Sequence, residues 1–303
     1  MNFAVLVPGQ GLDLSAPATA WYGASVATRR LLDVAAERVQ QPLAHLLHGA
    51  GRALRQTECY QPVLTALCGG ILHEVEQRVG AASVALGHSL GELVACVAVG
   101  VLTIDDAVAA AVLRGQLMAR EAALHPGGML ALRATFEETQ DAVARASTSG
   151  PICVAALNAR DQHVVSGAHA ALRAIPAGLN PVMIGTEGAW HSPAMQAGVD
   201  ELRVALEMCC NPATRAQWIS NRTGDVVVAA GHVPALLSAQ LTHPVQWVRS
   251  LETLVSLGVD VVVTLGPAKA QRALSRRTLR DAIRFISVEV PEDLTLLHDV
   301  HVA

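Results

Sequence analysis

A chain of 303 residues, 51% hydrophobic and 16% charged, carries enough apolar material for a large buried core. Its 22 Lys plus Arg stand against 26 Asp plus Glu, a net charge of -4, and the cations are scattered, which argues against a nucleic-acid surface. The six cysteines, at 59, 68, 96, 153, 209 and 210, lack metal-site spacing and fit a reducing cytoplasm, and no run is long and apolar enough to span a bilayer.

The opening "MNFAVLVPGQG" has no basic n-region, so it reads as a first strand over 3–8 and not as a signal peptide. Strand-like runs at 83–87, 217–221 and 259–266 read as further strands, separated by helices such as 62–78, 91–100 and 104–122. That alternation predicts a parallel sheet covered on both faces. Between about 127 and 187 the rhythm changes. A strand in "GGMLALRA", a polar helix from Phe136 to about Ser147, two strands in "ICVAALNARDQHVVSG", a short helix from Ala168 and a strand in "NPVMIG" follow one another. This is the order of a small ferredoxin-like unit. The main pattern then resumes, which predicts an α/β-hydrolase-like large domain over 1–126 and 188–303, with 127–187 inserted in it.

At "VALGHSLGELVACVAVG" (84–100) the β-branched run meets a small-residue helix with Gly87-His88-Ser89-Leu90-Gly91 at the joint. So sharp a reversal strains its central residue and needs neighbours without side chains, and it holds a serine hydroxyl up at the helix N-terminus. Serine also favours ordinary N-caps, but the flanking strand and helix make Ser89 a candidate nucleophile. A serine needs a general base, usually histidine, and spacing does not choose among twelve histidines. His88 diverges from Ser89 in such a turn; His191, in "GAWHSPAM", lies where the insert hands back to the large domain.

"VPGQG" (7–11), "QPVLTAL" (61–67), "GHSLGE" (87–92), "LRGQLM" (113–118), "NARDQHVVSG" (158–167), "GAWHSPAM" (188–195) and "QLTHPVQW" (240–247) occur in one order. In order and approximate spacing they resemble malonyl-CoA:acyl carrier protein transacylases and the acyltransferase domains of polyketide synthases, from residue 4 to about 275. The resemblance implies ping-pong acyl transfer: Ser89 attacks the thioester of malonyl-CoA, and the phosphopantetheine thiol of an acyl carrier protein then takes the acyl group. It implies His191 as the base, its other nitrogen oriented by a main-chain carbonyl near Gln240, and hence a dyad without an acidic third member. The oxyanion hole would be the backbone NH groups of Leu90 and Gln10, with Gly9 and Gly11 letting that loop pass close. Arg114 would grip the free carboxylate of a dicarboxylic acyl group. Trp190 stands where malonyl-selective members carry an aromatic residue and would crowd an α-methyl branch. Gln61 and Asn158 would line the pocket by analogy. Ser220, Asn221 and Thr223 resemble a family loop that holds the sheet edge, and no chemistry is assigned to them.

The resemblance implies no cofactor and no metal, and a monomer is expected. Departures from the family pattern are "LDLSAPATAWYGAS" after "GQG", Trp190 in place of the more usual Phe, and Ala268 in "LGPAKA". The chain reads as a freestanding enzyme acting in trans, closer to the polyketide type; fatty acid synthesis and malonate decarboxylase use the same reaction. A rival of another class is a serine hydrolase or thioesterase with water as acceptor. Arg272, Arg276 and Arg277 are candidates for docking an acidic carrier helix.

Overall fold

The computed structural model describes residues 2–48, 53–279 and 282–302. Along the chain, β1 (Phe3–Val7) leads into α1 (Ser15–Ala24), α2 (Val26–Arg38), α3 (Leu43–His48) and α4 (Thr57–Val79). β2 (Val84–Gly87) feeds α5 (Glu92–Ala98) and α6 (Ile104–Leu124). There follow β3 (Gly127–Leu132), α7 (Phe136–Ala146), β4 (Ile152–Ala159), β5 (Gln162–Ala168), α8 (His169–Arg173) and β6 (Val182–Ile184). The chain continues through α9 (Val199–Glu207), β7 (Gln217–Ile219), α10 (Val233–Ala239), α11 (Trp247–Ser256), β8 (Val261–Leu265), α12 (Lys269–Leu279) and β9 (Arg284–Val288).

The central sheet has the order β7-β2-β1-β8-β9, and every pairing in it is parallel. All residues of β1, β2 and β8 are buried, as largely apolar strands between two helix layers must be. Four of these strands were legible in the sequence as strand-like runs. β9 was not, because "RFISV" mixes exposed and buried positions, as an edge strand does.

The second sheet, in the order β4-β5-β3-β6, is antiparallel throughout, so the strand and helix order expected for a ferredoxin-like unit is the one observed. A capping box between Thr135 and Glu138 starts α7. Leu130, Leu132 and Val165 on one face form a small core with Ala142 and Ala146 of α7 and Leu172 of α8. The opposite face turns Met129, Ala156 and Val164 into the main core. β4 is bulged between Val154 and Ala156, and there it also pairs with the 245 segment: Leu157 N donates to Val245 O and Val245 N to Ala155 O, each at 2.9 Å. These bonds clamp the small sheet over the C-terminal end of β2. Among the described residues, no helix is long and apolar enough to cross a membrane.

Candidate active site

The corner after β2 is built by two glycines that tolerate no substitution. A Cβ on Gly87 would sit 2.1 Å from the Gly91 carbonyl carbon, and one on Gly91 would sit 2.4 Å from Val7 O. Between them Ser89 takes φ 51, a left-handed conformation that strains a side-chain-bearing residue. Asn221, fully buried just past β7, holds the strain in place: Ser89 N donates to its Oδ1 at 2.6 Å, and its Nδ2 donates to Gly87 O at 2.5 Å. Ser220 and Thr223 make only turn contacts, accepting from the backbone amides of Arg222 and Asp225.

His191 also has a positive φ, 57, and is buried. Its Nδ1 is 2.8 Å from the Gln240 main-chain carbonyl and its Nε2 is 2.8 Å from Ser89 Oγ. A carbonyl only accepts, so the ring proton sits on Nδ1 and Nε2 is left to accept from the serine hydroxyl. Burial, reinforced by the Arg114 guanidinium, pushes the imidazole down to about 3, so it stays neutral. His88 is turned elsewhere, as the elbow geometry predicts. Its Nε2 lies 2.9 Å from Asn158 Oδ1, and its ring meets Trp247 edge-on at 5.0 Å.

Arg114 projects from α6 into the protein, only 3% exposed. It donates to Gln61 Oε1 (2.8 Å), Gln240 Oε1 (2.9 Å) and Ser89 Oγ (3.2 Å), all neutral acceptors. Burial lowers its pKa to about 10, with the Glu92 charge opposing, so it is cationic at neutral pH. Gln61 is held in turn by Nε2 contacts to Thr57 Oγ1 and Met118 Sδ.

The 9–11 loop closes the site from the other side. A Cβ on Gly9 would lie 2.7 Å from His88 O, so only glycine lets this loop rest on the elbow. Gln10 Oε1 accepts from Thr57 Oγ1 at 3.1 Å. The Tyr60 hydroxyl accepts from Gly11 N and Leu12 N and donates to Leu12 O; sequence reasoning missed it, since it looks like one more apolar position of a buried helix. A cavity of about 150 Å³ brings together Gln10, Ser89, Leu90, Arg114, Asn158, Trp190 and His191. Gln61 and Gln240 stand behind Arg114 as its partners.

Two further residues escaped the sequence reading. Asn221 does more than hold a sheet edge, since it bonds both sides of the nucleophile turn. Glu92 resembles an ordinary acidic residue of a first helical turn, yet it is fully buried. It accepts from Asn221 N at 2.6 Å and from Gln240 Nε2, and burial pushes its carboxyl up to about 8. It makes no bond to His191, which rests on a main-chain carbonyl instead. The three candidate docking arginines are engaged within the chain: Arg272 with Ser287 Oγ, Arg276 over the Phe285 ring, and Arg277 with Gln162 and Asp161.

A parallel α/β sheet with a serine on a strained strand–helix elbow, its oxygen against a buried neutral imidazole, defines the class of α/β proteins built around a serine–histidine pair. More narrowly, residues 6–292 match the model of the acyl transferase domain family, and the chain belongs to that family. It is 28% identical over 311 residues to the malonyl CoA-acyl carrier protein transacylase of Bacillus subtilis (strain 168), covering 97% of this chain and 96% of that one. It is 30% identical over 299 residues to the malonyl CoA-acyl carrier protein transacylase of Mycobacterium tuberculosis (strain ATCC 25618 / H37Rv), covering 96% and 97%. Among solved structures it is similar to MCAT from Mycobacterium tuberculosis, with a TM-score of 0.89 and 28% identity over 98% of this chain and 99% of that one.

Proposed function

We propose that this protein moves a malonyl group from malonyl-CoA to the phosphopantetheine thiol of an acyl carrier protein, through an ester on Ser89. The observation that carries the reading is Arg114: a buried cation with only neutral partners, 3.2 Å from the candidate nucleophile. An unpaired buried charge is costly, so the site is built for an acyl group that brings its own carboxylate. Names of whole-length relatives support the same donor and acceptor.

Ser89 Oγ attacks the thioester carbonyl while His191 Nε2 takes its proton. The backbone NH groups of Leu90 and Gln10 receive the charge that builds on the carbonyl oxygen. As the tetrahedral adduct collapses, the C–S bond breaks and the proton passes from His191 to the departing CoA sulfur. The carrier thiol then gives its proton to His191, attacks the Ser89 ester and leaves as malonyl thioester, returning the serine to its hydroxyl form. Each step is proton transfer or acyl exchange, which the chain's own groups supply. Asn158, through His88, and Gln61, through Arg114, position the pocket walls. Residues 127–187 act as the subdomain that roofs the site, carried by the large domain of 1–126 and 188–303.

Intact-mass measurement after mixing with malonyl-, methylmalonyl- and acetyl-CoA tests the reading. A malonyl adduct is expected on the wild-type protein and none on Ser89→Ala. Arg114→Ala removes one partner of a desolvated charge pair, worth about 2–5 kcal/mol, so malonyl loading should slow on the order of 10²-fold or more. Malonyl-CoA consumed equally fast with and without holo carrier protein would mean that water, not the thiol, is the acceptor.

A further inference from the structure

Resting on that reading, we propose that Glu92 is a positioning residue for acyl selectivity, acting through the Gln240 side chain on Arg114. The Glu92 carboxyl and the Arg114 guanidinium do not bond to each other, because the Gln240 amide lies between them. Its Nε2 donates to Glu92 Oε2 and to Ser89 O (3.0 Å), and its Oε1 accepts from Arg114 Nη2 at 2.9 Å. With an acceptor at one end and a guanidinium at the other, only one orientation of this amide is satisfied. Turned over, it would set an NH₂ against the guanidinium and an oxygen against the carboxyl.

Glu92 is itself held by donors on both oxygens, Asn221 N at 2.6 Å and Gln240 Nε2. The same Gln240 offers its main-chain carbonyl to His191 Nδ1. One glutamine thus meets the nucleophile's carbonyl, the base and the cation, and the group that sets its side-chain direction is Glu92. The role is separate from that of an acidic triad member, since the carboxyl is directed at the cation's partner and not at the imidazole.

Glu92→Gln keeps the volume and reverses the polarity. One amide end can still accept from Asn221 N, but the other then faces Gln240 with a donor, so Gln240 turns and Arg114 loses an acceptor. Of the acyl group Arg114 meets the acid end only, while its 3.2 Å contact with Ser89 Oγ serves both donors alike, so the loss should fall mainly on malonyl and show in the malonyl-to-acetyl ratio. The experiment compares acylation rates with malonyl-CoA and acetyl-CoA in wild type, Glu92→Gln, Arg114→Ala and the double variant. Glu92→Gln is expected to slow malonyl loading tenfold or more and acetyl loading less than threefold, and to leave the malonyl-to-acetyl ratio of the Arg114→Ala protein unchanged.

Equal slowing of both donors, or an undiminished change of ratio without Arg114, would overturn the inference. Should Glu92→Gln not fold, Gln240→Met replaces it, cutting the relay while Glu92 stays on the Asn221 amide. That variant must show the same one-sided loss, and equal slowing there also overturns the inference. Failure of the functional reading is distinguishable, because it would appear as a wild-type protein that does not prefer malonyl-CoA.

Discussion

Replacing Asn221 by alanine removes the side chain that bonds Ser89 N and Gly87 O at 2.6 and 2.5 Å. Gly87 is buried and Ser89 half-buried, and each such group left unpaired costs up to about 1–3 kcal/mol, hence up to about 2–6 kcal/mol for the pair. Part of that returns, because Ser89 is freed from φ 51 and the strain of such a residue is about 1–3 kcal/mol. The expected net loss is about 1–4 kcal/mol in urea unfolding. Relaxation also carries Oγ away from its 2.8 Å contact with His191, and a displacement of about 1 Å reduces a positioned reaction about 10²-fold. Stopped-flow or quenched acylation with malonyl-CoA reads the second effect. Asn221→Asp should be worse than alanine, since a second oxygen would face Gly87 O with the Glu92 carboxyl close by. A protein with alanine at 221 that unfolds within about 0.5 kcal/mol of wild type and loads malonyl within threefold of its rate would refute the reasoning.

Three other outcomes follow from the same geometry. His191 is depressed from 6.5 to about 3 in the folded chain, so the unfolded chain binds its proton first; the stability it contributes is present above pH 6.5 and fades as pH falls toward 3. The stability gap between wild type and His191→Ala should therefore narrow across that window, and kcat/KM should show no loss near pH 6.5. A malonyl carboxylate on Arg114 cancels part of the cation's effect on the ring, so the acid limb of kcat should lie above that of kcat/KM; coincident limbs would contradict this. Trp190→Ala enlarges the cavity of about 150 Å³ at about 3–5 kcal/mol of stability, and methylmalonyl loading relative to malonyl should rise at least tenfold; an unchanged ratio would remove Trp190 from the branch side. Gly91→Ala, whose Cβ would meet Val7 O at 2.4 Å, should lose roughly 3 kcal/mol or more. Gly23→Ala, with open space around the new atom, should gain roughly 0.5–1 kcal/mol in its helix; similar stabilities for the two variants would disprove the steric account of the elbow.

The elbow, the first strands and the order of elements in the inserted unit were legible because each rests on short-range physics. Burial on both faces writes an unbroken apolar run into β1 and one broken only by Thr264 into β8, and a turn with no room for a Cβ writes glycine at 87 and 91. β9 is an edge strand with one wet face, so its pattern is too weak to read alone. The amino-acid sequence by itself thus determined the fold class and the identity of the strained serine. Spacing alone left open which histidine serves Ser89, and only the ordered family motifs implied His191, because the partner lies 102 residues away and no local periodicity encodes a contact across two sheets. The same limit applies to Arg114, whose inward aim came from the resemblance and which on α6 alone reads as an exposed helix cation. Asn221 and Glu92 stayed hidden as well, since a loop amide and a first-turn acid are ordinary by composition. What makes them matter is burial, and burial is decided only when the layers pack and each polar atom must find its partner inside.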